Sequence, residues 1–384
     1  MIPDPAGGTG LEEDVAQDDR GVQGKMGSLA PRHHHDSRHG RALSRWHTRD
    51  AKRFPHRQRL FERDLAQLIR EWIVPGYAPE AGMLSAQDNV ITLGSCFARQ
   101  LRDCLTDLGC SSGGFRTPSR LVSTFAILDF ISWCVTGEEI GRGYRYVRMD
   151  DGEIREWTPE AGREEYLQGI REAGAFVFGF GVSEVWQDRE TGAVFWRGVP
   201  KDVYKAGRHE FRLTTVEENE ENLLRIVELI RSVNATAPIV LMLSPIPVPA
   251  TFRDIGCIPA DCVSKSVLRV AFDRVVSRGV QGVYYWPSFE VVRWAGAHLP
   301  WRAYGTNDGK PTNITHYLVA ETIEAFVDAF YTPEAVAELR AKGSGRTVPS
   351  PRSLRGRIEY PLLRLAKRKK KRARRLFRPA RSER

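Results

Sequence analysis

The sequence predicts an α/β protein built on a parallel sheet that is covered on both faces. Three observations carry this. Four short runs, 90–93, 176–178, 239–243 and 283–286, are apolar almost without alternation, as strands buried on both faces are. Each ends in a breaker, at Gly94, Gly179, Ser244-Pro245 and Pro287. Between the runs lie segments with apolar residues at helical spacing, the pattern of a chain that alternates strand and helix.

In chain order, Leu60, Phe61, Leu65, Leu68 and Ile69 recur at helical spacing and predict an amphipathic helix ahead of the first strand. Val90-Ile91-Thr92-Leu93 then runs into Gly94-Ser95-Cys96, and Phe97, Leu101, Leu105 and Leu108 line one helical face until Gly109. Gly113 to Pro118 reads as a loop, and Ser119 to Trp133 as a second helix. Asp150-Asp151-Gly152 turns a hairpin between Tyr144–Met149 and Glu153–Trp157. A second hairpin is expected between Val185–Asp188 and Ala193–Arg197, turned at Thr191-Gly192. Thr215 with Glu218 forms a capping box for a helix reaching Ile230. After the third apolar run, Ser244-Pro245-Ile246-Pro247-Val248-Pro249 forbids regular structure. Helices are expected over Val263–Arg278 and His316–Phe330.

Charge divides the 384 residues unevenly. From Arg364 to Arg384 there are twelve Lys/Arg and one acidic residue, a net of +11 within a chain of +9, so the remainder carries −2. Residues 346–384 therefore read as a basic, disordered tail able to touch an anionic membrane surface weakly, and 1–54, poor in apolar residues, as a disordered segment. The globular domain falls at 55–345. No apolar run approaches the ~18 residues that span a bilayer, and no apolar h-region marks a secretory signal. The six cysteines form no C-x-x-C pair; a reduced, cytoplasmic setting follows. No metal and no cofactor is implied: the run His33-His34-His35 has nothing to preorganise it as a ligand set. No motif supports sequence-specific nucleic-acid recognition, and the oligomeric state is not legible.

In a doubly wound sheet, chemistry gathers beyond the carboxyl ends of the strands. Those positions hold Gly94-Ser95-Cys96, Gly181-Val182-Ser183-Glu184, Ser244-Pro245, Ser288-Phe289-Glu290 and the stretch Asp308 to His316. Together they supply a nucleophile, hydrogen-bond donors, carboxylates and one late histidine, the set that acyl transfer requires. His209 and His298 fall in polar stretches and read as solvated.

Gly94-Ser95-Cys96-Phe97-Ala98 is the name motif of the GSCFA proteins, which resemble the SGNH/GDSL hydrolases. Gly181-x-Ser183-Glu184 stands where SGNH enzymes carry Gly-x-Asn-Asp, and Asn313-x-x-His316 where they carry Asp-x-x-His before a last helix. The resemblance covers about Asn89 to Phe330 and implies a flavodoxin-like three-layer α/β/α sandwich with a mostly parallel sheet. It further implies carboxyl-ester chemistry on a small-molecule or glycan acyl ester. His316 would serve Cys96 or Ser95, Asn313 would orient His316, and Gly114 and Ser183 would hold the oxyanion, with Glu184 beside them. The departures agree with one another: aligned on Gly-Asp-Ser, Cys96 takes the nucleophile slot, and a thiol–imidazole pair tolerates a neutral Asn as orienter. Ser95 stays open as the alternative nucleophile. So do two other functions: an acyl-CoA-dependent O-acyltransferase, and a non-catalytic binding member of the fold.

Overall fold

The structure, a computed structural model, describes residues 54–342 apart from 56–57, 64, 114–120, 149–152 and 306–308. The segment 1–54 (except Phe54), the tail 346–384, the Asp150-Asp151-Gly152 turn, Gly114 and Asp308 lie outside the described residues.

The leading helix is broken into α1 (Gln58–Arg63), α2 (Leu65–Leu68) and a π-turn over Ile69–Ile73. Then follow β1 (Val90–Gly94), α3 (Cys96–Asp107) and α4 (Thr124–Thr136). The hairpin β2 (Tyr146–Arg148) and β3 (Ile154–Glu156) leads to α5 (Arg163–Arg171) and β4 (Ala175–Phe180). Next come β5 (Glu184–Asp188), β6 (His209–Leu213), α6 (Val216–Arg231), β7 (Ile239–Leu243) and α7 (Cys257–Ser277). The described chain ends with β8 (Val283–Trp286), α8 (Ser288–Arg293), α9 (His316–Phe330) and α10 (Pro333–Lys342).

β1, β4, β7 and β8 form one parallel sheet in the order β1-β4-β7-β8, the four apolar runs read from the sequence. A fifth segment extends it. The amides of Val90 and Thr92 donate to the carbonyls of Ser111 and Gly113 at 3.1 and 3.2 Å, a parallel register on the free side of β1. Counted in chain order, the sheet then runs 2-1-3-4-5, the flavodoxin-like arrangement. Strand residues alternate between two cores. Ala175, Val177, Val240, Met242 and Trp286 pack against α3 and α9, while Phe176, Phe178, Phe180, Leu241 and Tyr285 pack against α4, α6 and α7. The three-layer expectation holds.

Three expectations need correction. Thr191-Gly192 does turn the chain, with Gly192 at φ 74°, but the returning run forms only the bridge Gln187↔Val194. The full partner of β5 is β6, which sets Phe211 opposite Trp186 with ring centroids 5.3 Å apart and brings Arg208 onto the buried Asp188 carboxylate at 2.7 Å. His209 is consequently buried and accepts from the Lys205 amide at 3.2 Å, not solvated. The helix expected from Val263 starts at Cys257, capped by Gly256. Pro259 is tolerated there because first-turn amides have no intrahelical acceptor to lose.

Candidate active site

In the 2-1-3-4-5 arrangement the strand order reverses between β1 and the next inner strand, and ligands bind at the carboxyl end of that junction. Here the junction is between β1 and β4, so it is bounded by Gly94-Ser95-Cys96 and Gly181 to Glu184.

Gly94 makes the turn possible. Its φ is 110°, and a Cβ there would collide with the Gly179 carbonyl. The Ser95 amide donates to that same carbonyl at 2.8 Å, and its Oγ caps α3 by accepting from the Ala98 amide at 3.3 Å. Ser95 is buried and committed to building the turn. Cys96 is the first residue of α3 and is half-buried, at the helix end whose first-turn amides have no intrahelical partners.

His316 is likewise the first residue of its helix, α9, and is exposed. The far end of α9 fixes which rim it occupies. Phe330 accepts from the amides of Met83 and Leu84 at 2.8 and 2.9 Å, just ahead of β1 and hence at the amino rim of the sheet. Fifteen residues of helix span about 22 Å, which carries His316 back to the carboxyl rim. α3 and α9 share one core on one face of the sheet, so Cys96 and His316 head neighbouring helices that start at the same rim. Neighbouring helices pack about 8–10 Å axis to axis.

The loop carrying Asn313 is tied down independently. Tyr304 bridges to Ile314, and its hydroxyl donates to the Pro245 carbonyl at 2.9 Å, beyond the end of β7. Burial pushes the Tyr304 hydroxyl up to about 12, which keeps the donor protonated, with Arg293 opposing that shift. The Gly305 amide donates to Asn313 O at 2.8 Å, and Thr315 anchors the helix start through its amide and Oγ1 to Ala303 O.

The block Gly181 to Glu184 turns to the opposite face of the sheet. Ser183 is 1% exposed; its Oγ donates to the Ser264 carbonyl of α7 at 2.9 Å, and its amide donates to Ser264 Oγ at 2.9 Å. That hydroxyl proton is committed to α7, which departs from the expected oxyanion role. Glu184 is also buried and accepts from Arg253 at 3.3 Å, which ties the β7–α7 loop to the start of β5. Ser95, Cys96 and His316 thus stand at the starts of helices packed on one face of the sheet, with Asn313 three residues ahead of α9, whereas Ser183 and Glu184 are buried against α7 and the β7–α7 loop.

One residue of this region was not legible beforehand. Lys265 on α7 is 1% exposed, and its Nζ donates to the Gly181 carbonyl at 2.6 Å, pinning the exit of β4. Burial pushes the lysine down to about 7; Asp261, one turn earlier, favours its charged form and Arg293 opposes it. Asp261 itself accepts from Arg293 at 2.5 Å and from the Val248 amide at 2.9 Å. The available signal was helical phase: Asp261 and Lys265 sit one position beyond the buried Ala260 and Ser264.

The profile of the GSCFA family matches residues 89–322, more than half of the chain and the whole of this rim. No curated protein matches. Among solved structures, a carbohydrate esterase family 2 enzyme with its carbohydrate-binding domain, from Corynascus thermopiles (Myceliophthora fergusii), is similar at 13% identity. That likeness covers 69% of this chain and 68% of the other, with a TM-score of 0.29. With the name motif at Gly94 to Ala98 and the profile spanning the sheet from β1 into α9, the chain belongs to the GSCFA family.

Proposed function

We propose that the chain acts on carboxylic (O-acyl) esters through a Cys96–His316 pair, by way of a thioester on Cys96. The observation that supports this most is that Cys96 and His316 head adjacent helices at the rim of the β1/β4 junction. His316 takes the thiol proton as sulfur attacks the ester carbonyl carbon. The tetrahedral oxyanion is met by amides at the start of α3, whose helix end favours negative charge, and by the Gly114 amide that the family resemblance assigns. Collapse breaks the carbonyl carbon–alkoxy oxygen bond, and His316 returns the proton to the departing alcohol. Water, deprotonated by His316, then attacks the thioester and releases the acid and the free thiol; a sugar hydroxyl in place of water would make the same site a transferase. Asn313 holds the His316 ring in orientation. Cys96 is favoured over Ser95 because Ser95 is buried and spends its amide and Oγ on the turn. An O-acylated glycan or its precursor is the substrate class this reading carries from the family resemblance.

Incubation with nitrophenyl acetate, acetylated sugars and acetyl-CoA, followed by intact mass spectrometry, tests it. Cys96→Ala and His316→Ala should each lower turnover by about 100-fold or more, with little further loss in the double variant. Asn313→Ala should lose less. The wild type should gain one acyl group, on the peptide containing Cys96. Full activity in Cys96→Ala would overturn the assignment of the nucleophile. Wild-type protein that turns over none of these substrates and gains no acyl group would favour a binding role.

A further inference from the structure

The first half of α7 is built inside out. Asp261, Ser264 and Lys265 point inward and are buried, while Ile258 is 82% exposed and Val263 and Val270 also face outward. Cys262 and Ser266, one and two turns beyond Ile258, complete the outward stripe. From Ile255 to Leu268 the only charged residues are Asp261 and Lys265, so this face carries none. A helix on the outside of a sheet ordinarily shows the reverse pattern. The inward polar groups already have their task in holding the β4 exit and the β7–α7 loop. They do not explain the apolar exterior.

The stripe does not end with the helix. Phe252, 68% exposed, and Ile255 extend it along the preceding loop. Phe252 packs edge-on against Trp186 and Phe211, with centroids 5.0 and 5.2 Å apart, and Trp186 against the exposed Tyr204 at 5.6 Å. Contiguous exposed apolar surface of this kind marks an interaction site. Aromatic rings with one polar tip beside aliphatic side chains suit the interfacial region of a bilayer.

We propose that the outer face of α7, with Phe252 and Ile255, is a docking surface for an anionic lipid bilayer. Charge selects this occupant over a second copy of the chain. The body, residues 55–345, carries −6 and would gain nothing electrostatic from an anionic bilayer, but Arg364 to Arg384 adds +11. A polybasic run and a shallow apolar contact are the two weak signals that together give stable peripheral attachment. The 21 residues between Lys342 and Arg364 span up to about 70 Å when extended, so both signals can meet one surface. No described helix is long and apolar enough to cross a membrane, and the attachment proposed is peripheral.

The test is sedimentation of the full chain with phosphatidylcholine vesicles and with vesicles of equal parts phosphatidylcholine and phosphatidylglycerol, at low and high salt. Wild-type protein should bind the anionic vesicles more strongly, and salt should weaken this binding without abolishing it. Phe252→Asp with Ile258→Asp should weaken the salt-resistant part by about ten-fold or more, since two apolar side chains lose their burial. Val270→Asp, three turns along the same face, repeats the test should the double variant fold poorly. Truncation after Leu363 should remove the salt-sensitive part. The proposal is overturned if wild-type protein binds neither vesicle, or if the folded Asp variants bind as wild type does. It is equally overturned if light scattering shows a dimer that these variants dissociate while vesicle binding stays unchanged.

Discussion

Ser95 and Gly179 meet where β1 and β4 leave the sheet. The Ser95 amide donates to the Gly179 carbonyl at 2.8 Å, and a Cβ on Gly179 would lie 2.5 Å from Ser95 Oγ and 2.8 Å from Ala98 Cβ. The glycine near the carboxyl end of β4 is therefore what lets the turn carrying Cys96 settle against the neighbouring strand. Gly179→Ala should destabilise the protein by about 1–3 kcal/mol, and Ser95→Ala by about 1 kcal/mol through loss of the cap. Because both act on one contact, the pair should be less costly than the sum by at least ~0.5 kcal/mol. Urea denaturation of the four proteins decides it, and strict additivity would contradict the contact.

Thiol labelling probes the proposed Cys96–His316 pair without a substrate. Cys96 is half-buried and Cys262 exposed, whereas Cys110 and Cys134 are buried and their thiols are raised chiefly by that burial. Burial first, then Asp107 and Asp103, pushes Cys104 up to about 11. Limited iodoacetamide treatment at neutral pH should label Cys96 and Cys262 first, as read by peptide mass spectrometry. His316→Ala should slow labelling of Cys96 by about three-fold or more while leaving Cys262 unchanged. Equal rates at Cys96 in the two proteins would separate the imidazole from the thiol.

The hairpin layer hangs on one buried carboxylate. Asp129 on α4 accepts from Arg145 Nη2 at 2.9 Å and Nε at 3.0 Å, and from Trp196 Nε1 at 2.6 Å. Asp129→Ala leaves a guanidinium whose side chain is only 7% exposed with Glu139 at 3.7 Å as its remaining ion-pair partner, a loss of about 3 kcal/mol. The expected result is a fall in denaturation midpoint together with faster proteolysis between residues 140 and 200. A midpoint within error of wild type would show that the pair is replaceable.

Lys265 gives stability a pH dependence with a definite sign. Its pKa in the folded chain is about 7, against 10.5 when unfolded. Between those values the unfolded chain binds more protons, so this contribution to stability rises with pH through that window. Below about 7 both states are protonated and the cost of the buried charge is felt in full. Subtracting Lys265→Met from wild type at each pH isolates the term, which should grow by on the order of a few kcal/mol between pH 7 and pH 10. A flat difference would mean that the lysine stays charged in place.

The sequence by itself determined the scaffold and the start of the site. Strands buried on both faces must be apolar along their whole length, so β1, β4, β7 and β8 could be read directly. The Thr215–Glu218 capping box and the helix from His316 to Phe330 were legible for the same reason: each is written in side chains only a few positions apart. Gly94-Ser95-Cys96 likewise announces a turn into a helix. Only the tertiary structure decided which partner each buried polar group would meet. Ser183 read as an oxyanion donor until Ser264 arrived opposite it, Lys265 had no role in the sequence until Gly181 O lay 2.6 Å away, and β5 took β6 across a long excursion over the nearer run. Apolar burial is non-directional and follows from local composition. A buried polar atom must find one complementary atom at one distance, and for Lys265 that atom lies 84 residues away along the chain.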